Sequence, residues 1–154
     1  MSQEVLYIYD ELPKENSKIL LEGLPDVGLV GLIAVSYIIE KLGMKEIGFI
    51  ESDLLPPLVV IHDSKVRNIL RIYYKDNIVA LISEIPLPLP LVKPMTNSLM
   101  DWCKAKNVKD IISVTGIAEP NRIDIEVPKV SVIASNSDFL NYISKKAGVE
   151  KFEE

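Results

Sequence analysis

The chain is poor in the residues that most often carry chemistry. It has one cysteine, one histidine and one tryptophan in 154 residues, and aromatic side chains make up only 6%. A lone Cys103 cannot build a disulfide framework, so the sequence suits a reducing, cytoplasmic compartment. With His62 as the sole imidazole, no histidine pair or Cys/His cluster is available, and no metal site is expected. Basic residues are outnumbered: 17 Lys and Arg against 22 Asp and Glu give a formal net charge of −5. Together with the lack of any Lys/Arg cluster, that charge argues against nucleic acid as a partner. The longest apolar stretch, Leu29 to Ile39, is too short to cross a bilayer and contains Ser36 and Tyr37. The N-terminus lacks the basic-then-apolar order of an export signal. Also missing are the Gly-Lys-Ser/Thr ending of a phosphate loop and the Gly-x-Gly-x-x-Gly spacing of a dinucleotide site, so no cofactor is expected.

What is present is apolar content: 48% of the residues are hydrophobic, enough for a single domain over residues 1–154 with a substantial core. Strand-like and helix-like stretches alternate. Val5 to Tyr9 and Lys18 to Leu21 read as strands. From Val27 to Leu42 apolar residues recur at Val27, Val30, Ala34, Ile38 and Leu42, close to a 3.6-residue period, with Gly43 as a C-terminal cap. Ile33, Val35 and Ile39 add apolar surface beyond that stripe, so the helix should be covered on more than one side, by a second layer or a second subunit. Lys45 to Glu51 is the next strand. Leu58 to Ile61 and Val66 to Tyr74 frame a hairpin turn at 62–65, and Ile78 to Ile82 follows a second turn. Along Val66 to Tyr74, alternation puts Ile69, Arg71 and Tyr73 on one face and Leu70, Ile72 and Tyr74 on the other. The prolines of Pro86 to Pro90 predict an extended connection. Thr96 to Lys106 reads as a helix with Leu99, Trp102 and Cys103 on one face. Asp110 to Gly116 and Val130 to Ala134 read as strands, and Phe139 to Ala147 as the last helix. The order predicts an α/β fold: a mixed sheet with parallel crossover units, central antiparallel hairpins and flanking helices.

The most specific passage is Gly23-Leu-Pro25-Asp26-Val-Gly28-Leu-Val-Gly31, where a strand turns sharply into a helix. Such a junction aims the free N–H groups of the first helical turn over the sheet edge. Asp26 sits where a phosphate would need a donor, so the glycines read as close helix–sheet packing and Asp26 as compensation of the helix dipole. Asp26, Glu51, Asp53, Arg71, Glu84, Thr115, Gly116, Glu119 and Arg122 all fall at strand ends or in the loops after them, where open α/β sheets form their crevice. Arg71, if buried, needs a carboxylate from Glu84 or Glu51, as a structural ion pair or as part of that crevice. His62 reads as a solvated turn residue and Cys103 as a small core hydrophobe. No catalytic set is assembled.

Four segments, Gly23 to Gly31, Tyr37 to Gly43, Leu54 to Val60 and Val66 to Tyr73, followed by Thr115-Gly116-Ile117 with Pro120 and Arg122 and by Val132 to Asn136, together resemble the archaeal proteasome assembly chaperone family (proteasome assembly chaperone 2 family). The resemblance spans nearly the whole chain. It implies an α/β protein that self-associates and binds proteasome α subunits through protein surfaces without ATP. It also implies a further C-terminal segment closing the fold, and a hydrophobic-tyrosine-any tail for docking on the α ring. This chain departs on both points, reading Val149-Glu-Lys-Phe-Glu-Glu154 at its end with Tyr142 well upstream. Its Pro-rich passage and acidic tail then become the elements expected to meet a partner. The related architecture also resembles nucleoside phosphorylases and peptidyl hydrolases, so the rival expectation is a small-molecule enzyme with Asp26, Arg71 and Glu84 in one pocket.

Overall fold

The computed structural model describes residues 6–152, apart from the side chain of Arg122. Val5, the expected start of the first strand, and Glu153 and Glu154 of the acidic tail lie outside the described residues. The chain divides into two compact units, one ending at Ala118 and one beginning at Glu119.

In chain order the first unit contains β1 (Leu6–Asp10), β2 (Lys18–Gly23), α1 (Val30–Leu42), β3 (Lys45–Ser52), β4 (Val60–His62), β5 (Lys65–Arg67), β6 (Leu70–Lys75), β7 (Ile78–Ser83), α2 (Leu89–Ala105) and β8 (Val108–Ser113). Six strands form one sheet in the order β1-β3-β6-β7-β2-β8. The β2 strand is parallel to both β7 and β8, while β1, β3, β6 and β7 are antiparallel neighbours. The mixed sheet with crossovers and a central hairpin is therefore as the sequence implies. The β6–β7 hairpin closes over Asp76 and Asn77, both at positive φ, the two-residue turn whose twist matches that of the strands. The same geometry at Asp63 and Ser64 closes β4–β5.

The two helices cover opposite faces. Leu91, Met95, Trp102 and Cys103 of α2 pack with Leu20, Ile50, Leu70, Ile72, Val79 and Leu81. Val35 of α1 packs with Ala80 and Ile82 on the other side, joined by Leu21 and Tyr73. The alternation through β6 thus sorts as its sequence predicts, Tyr73 to one face and Leu70, Ile72 and Tyr74 to the other. Asp10 ties β1 to the end of α2, accepting from Trp102 Nε1 at 2.8 Å and Lys106 Nζ at 2.6 Å. Lys18, only 1% exposed, is satisfied by backbone: its Nζ donates to the carbonyls of Glu15, Asn16 and Lys106.

Cys103 is 3% exposed and burial pushes its thiol up to about 11. Iodoacetamide at pH 8 is therefore expected to spare Cys103 in the native chain and modify it in urea, read by mass spectrometry, because the thiolate is the nucleophile. Rapid labelling of the native chain would contradict this packing.

The main departures from the sequence reading in the first unit are four. First, α1 begins at Val30 rather than Val27: Val27–Leu29 is a single 3-10 turn in which Gly28 and Leu29 take left-handed backbone, with φ of 74° and 57°. The buried stripe is consequently shifted by one residue, to Gly31 and Val35, while Val27, Val30 and Leu42 are exposed. Second, α2 begins at Leu89, inside the Pro-rich passage, with Pro88 as its N-cap and Pro94 within it. Proline in a first turn forgoes an N–H that has no helical partner there, so Pro90 starts the helix rather than preventing it. Third, Val66 to Tyr74 is two strands: β5 pairs only with β4, and β6 belongs to the main sheet. Fourth, the strand expected over Asp110 to Gly116 is β8, which starts earlier, at Val108, and ends at Ser113.

The second unit holds a single turn of 3-10 helix at Arg122–Asp124, then β9 (Ser131–Val132), α3 (Ser137–Ala147) and β10 (Glu150–Lys151), with β9 and β10 parallel. The expected strand over Val130 to Ala134 is shorter than predicted. Asn136 caps α3, its side-chain oxygen accepting from the N–H groups of Asp138 and Phe139 at 2.9 and 3.0 Å, and Gly148 closes it at φ 66°.

Candidate functional site

Strand directions bring most of the singled-out residues to one edge of the main sheet. β2, β7 and β8 run the same way and end at Gly23, Ser83 and Ser113. β6 starts at that edge, with Leu70 opposite Ser83, and β3 ends there, with Ser52 opposite Leu6. Asp26, Glu84, Thr115 and Gly116 lie in the loops beyond it, and Glu51, Asp53 and Arg71 beside it. Because α1 leaves β2 toward one face and α2 leaves β7 toward the other, the neighbours β2 and β7 form a switch point of the topology. Glu119 and Arg122 belong to the second unit.

The glycine loop is packed tightly. A Cβ at Gly31 would stand 2.2 Å from the Val114 carbonyl oxygen, one at Gly116 2.4 Å from that of Val27, and one at Gly23 2.5 Å from Val35 Cβ. Only glycine lets the start of α1 lie this close to the ends of β2 and β8. Gly28 supplies the first of the turn's two left-handed residues, and Pro25 is half-buried before it.

Asp26 does more than offset a dipole. Its Oδ2 accepts from the Gly116 N–H at 2.6 Å, and its Oδ1 accepts from the Gly31 N–H at 3.4 Å, at the long limit of a hydrogen bond. Burial pushes the carboxyl up, but the Thr115 hydroxyl and the Gly116 and Gly31 N–H groups outweigh it and leave its pKa below the ordinary value. The start of α1 is therefore faced by the protein's own carboxylate, and a phosphate approaching it would meet negative charge.

Arg71 forms a second, separate cluster. It is 4% exposed and its Nη2 pairs with Glu84 Oε1. His62 Nε2 reaches the same oxygen at 3.1 Å; the histidine expected in the turn is instead the last residue of β4, opposite Lys65, exposed but tied to the sheet edge. The Arg71 guanidinium also lies over the Tyr73 ring, 5.8 Å from its centroid, and its Nε is buried without a hydrogen-bond partner among the described residues. Glu84 is the carboxylate that meets Arg71; Glu51 instead stands exposed opposite Tyr7. Asp26 and Arg71 share no hydrogen-bond partner in these two clusters. Among the described residues no group of three or more His, Cys, Asp or Glu could hold a metal ion, and no helix is long and apolar enough to cross a membrane.

Sequence reasoning missed the β4–β5 hairpin as a surface. Ile61 and Val66 are directly paired, 70% and 68% exposed, with Val59 and Leu58 beside them. Arg67 fastens the hairpin to β3 through Glu46 at 3.0 Å. The outer side of α1 is also bare, with Val30, Ile33 and Tyr37 exposed at helical spacing.

A family model described as the PAC2 family matches residues 20–153. An uncharacterised protein of Methanocaldococcus jannaschii, MJ0106, is 30% identical over 99 residues, which is 64% of this chain and 42% of that protein. Pyrococcus furiosus PbaA, described as an archaeal homolog of proteasome-assembly chaperone, superposes with a TM-score of 0.75 at 27% identity, over 97% of this chain and 64% of PbaA. Pyrococcus furiosus PbaB, described as an archaeal proteasome activator, shares the fold with a TM-score of 0.71 at 20% identity, over 99% of this chain and 68% of PbaB. The chain thus spans less than two thirds of the length of PbaA and of the Methanocaldococcus protein.

Proposed function

The chain belongs to the PAC2 family, and from that premise we propose that it is a proteasome assembly chaperone or adaptor, acting on proteasome α subunits through protein surfaces and without ATP. The observation that carries this reading is the likeness to PbaA over 97% of the chain. In this reading the chain holds an assembly intermediate by covering its apolar surface and leaves when the ring closes. It works in the cytoplasm, self-associates through the bare apolar side of α1, and uses no metal or cofactor. The loop geometry favours it over the rival reading, a small-molecule enzyme of phosphorylase- or hydrolase-like architecture. Asp26, the residue best placed to serve as a base at the switch point, is engaged in holding Gly31, Thr115 and Gly116.

The test is size-exclusion chromatography with light scattering on the purified chain mixed with proteasome α subunits in nucleotide-free buffer. A mixed species of defined mass is the expected result; separate elution would contradict α-subunit binding. The same measurement on the chain alone reads self-association, where a monomer mass would contradict it. The hairpin is a contact surface in this reading, since large exposed apolar patches mark interaction sites. Ile61→Lys with Val66→Glu, an oppositely charged cross-strand pair, is expected to weaken the mixed complex at least tenfold while leaving the melting temperature within about 2 °C of wild type, as surface substitutions usually cost little.

A further inference from the structure

A cleft of about 410 Å³ lies beside the outer strands of the main sheet, with Tyr7, Tyr9, Pro56, Pro57 and Leu58 in its lining. Register explains the tyrosines. Tyr7 stands opposite Glu51 and Tyr9 opposite Phe49, so these side chains leave the same face of the sheet. The Tyr9 ring is braced by Phe49, their centroids 4.9 Å apart. Both tyrosines are exposed, Tyr7 by 41% and Tyr9 by 47%. The charged residues that line the cleft, Glu51 and Asp53, are both acidic, in a chain whose net charge is already −5.

We propose that this cleft seats a lysine or arginine side chain carried on an extended segment of a protein partner. Such a side chain suits each feature of the cleft. Its cationic head pairs with Glu51 and Asp53 and lies over a tyrosine ring, where the quadrupole attracts positive charge. Its apolar stem packs along the two prolines and Leu58. The volume is that of a site for a small group rather than a whole interface. An acidic or neutral side chain of the same length would leave the two carboxylates repelled or unpaired. The proposal deepens the chaperone reading and rests on it, in that the cation is delivered by a bound protein.

The test uses blocked octapeptides of alanine and threonine with one central lysine, arginine, norleucine or glutamate, titrated into the isotope-labelled chain and followed by amide shifts. Lysine and arginine peptides are expected to move the amides of Tyr7, Tyr9, Glu51 and Asp53. Their affinity should fall at least tenfold in Glu51→Gln with Asp53→Asn, and this variant should melt with the wild type. Equal binding of the norleucine peptide, or shifts confined to other residues, would overturn the proposal. Spermidine binding there as tightly as the peptides would overturn the protein source in favour of a free polyamine. Co-elution with α subunits separates the two claims. If the wild type and the double variant co-elute equally well, the cleft is not the contact and the chaperone reading survives. If the peptides bind in the cleft but no α-subunit complex forms, the cleft survives and that reading fails.

Discussion

Replacing Gly31 with alanine is expected to lower the stability of the larger unit by about 3 kcal/mol or more, at the upper end of what overpacking costs. The added Cβ would stand 2.2 Å from the Val114 carbonyl oxygen and 3.3 Å from that of Leu24. Neither is the free end of a flexible side chain, so relief requires moving α1 away from the end of β8. That movement also stretches the contact between Asp26 and Gly116 across the same junction. Trp102, the only tryptophan and 8% exposed in the α2 core, reports the transition through its fluorescence in urea. Gly43→Ala is the control. Gly43 caps α1 at φ 59° and an added methyl group there would meet nothing within 4 Å, so alanine incurs only the left-handed backbone penalty, about 1 kcal/mol. Equal losses in the two variants would contradict the packing account of the glycine loop.

Asp26→Ala is expected to cost about 1–2 kcal/mol, because it strips the Gly116 N–H of its partner and the Gly31 N–H of a longer contact, both at a part-buried junction where the penalty for an unpaired donor is at the low end of about 1–3 kcal/mol. Asp26→Asn should cost less, since an amide oxygen can still accept one of these bonds. The pH dependence separates charge from shape. The folded carboxyl titrates below its unfolded value, so the unfolded chain takes up the proton first as pH falls. The Asp26 contribution is therefore complete above about pH 5 and is lost as pH drops through the folded value. Asp10, whose carboxyl burial raises but Lys106, Trp102 and Leu12 lower further, follows the same direction in both proteins. Subtracting the Asp26→Asn curve from that of wild type isolates Asp26: the difference should be flat above about pH 5 and shrink below it. A difference that grows on acidification would contradict the assignment.

Much of the fold was legible because the signals were local. Strand alternation at 70–75 sorted its side chains to two faces, and the apolar face of α2 around Leu99, Trp102 and Cys103 was visible from helical spacing. The start of α1 was not, because Val27 falls on the apolar period while Gly28 and Leu29 turn the backbone left-handed. The start of α2 was hidden by prolines that look like helix breakers and act as a helix start. At the sheet edge, strand-end reasoning gathered Asp26, Glu51, Arg71 and Glu84, but not who meets whom. Asp26 finds Gly116 across 90 positions of sequence, and Glu84 is shared between Arg71 and His62. Such pairings follow from strand order, which periodicity does not encode. The buried Lys18 was missed for the same reason, one of its three carbonyl partners being Lys106, 88 residues away.

The proposed chaperone role requires the chain to act on α subunits as they assemble. Its most direct test is a nucleotide-free time course of proteasome α-subunit assembly, followed by light scattering with and without the chain. The expected result is faster ring formation through a transient mixed species, with finished rings free of the chain. An unchanged time course with no mixed species would contradict it.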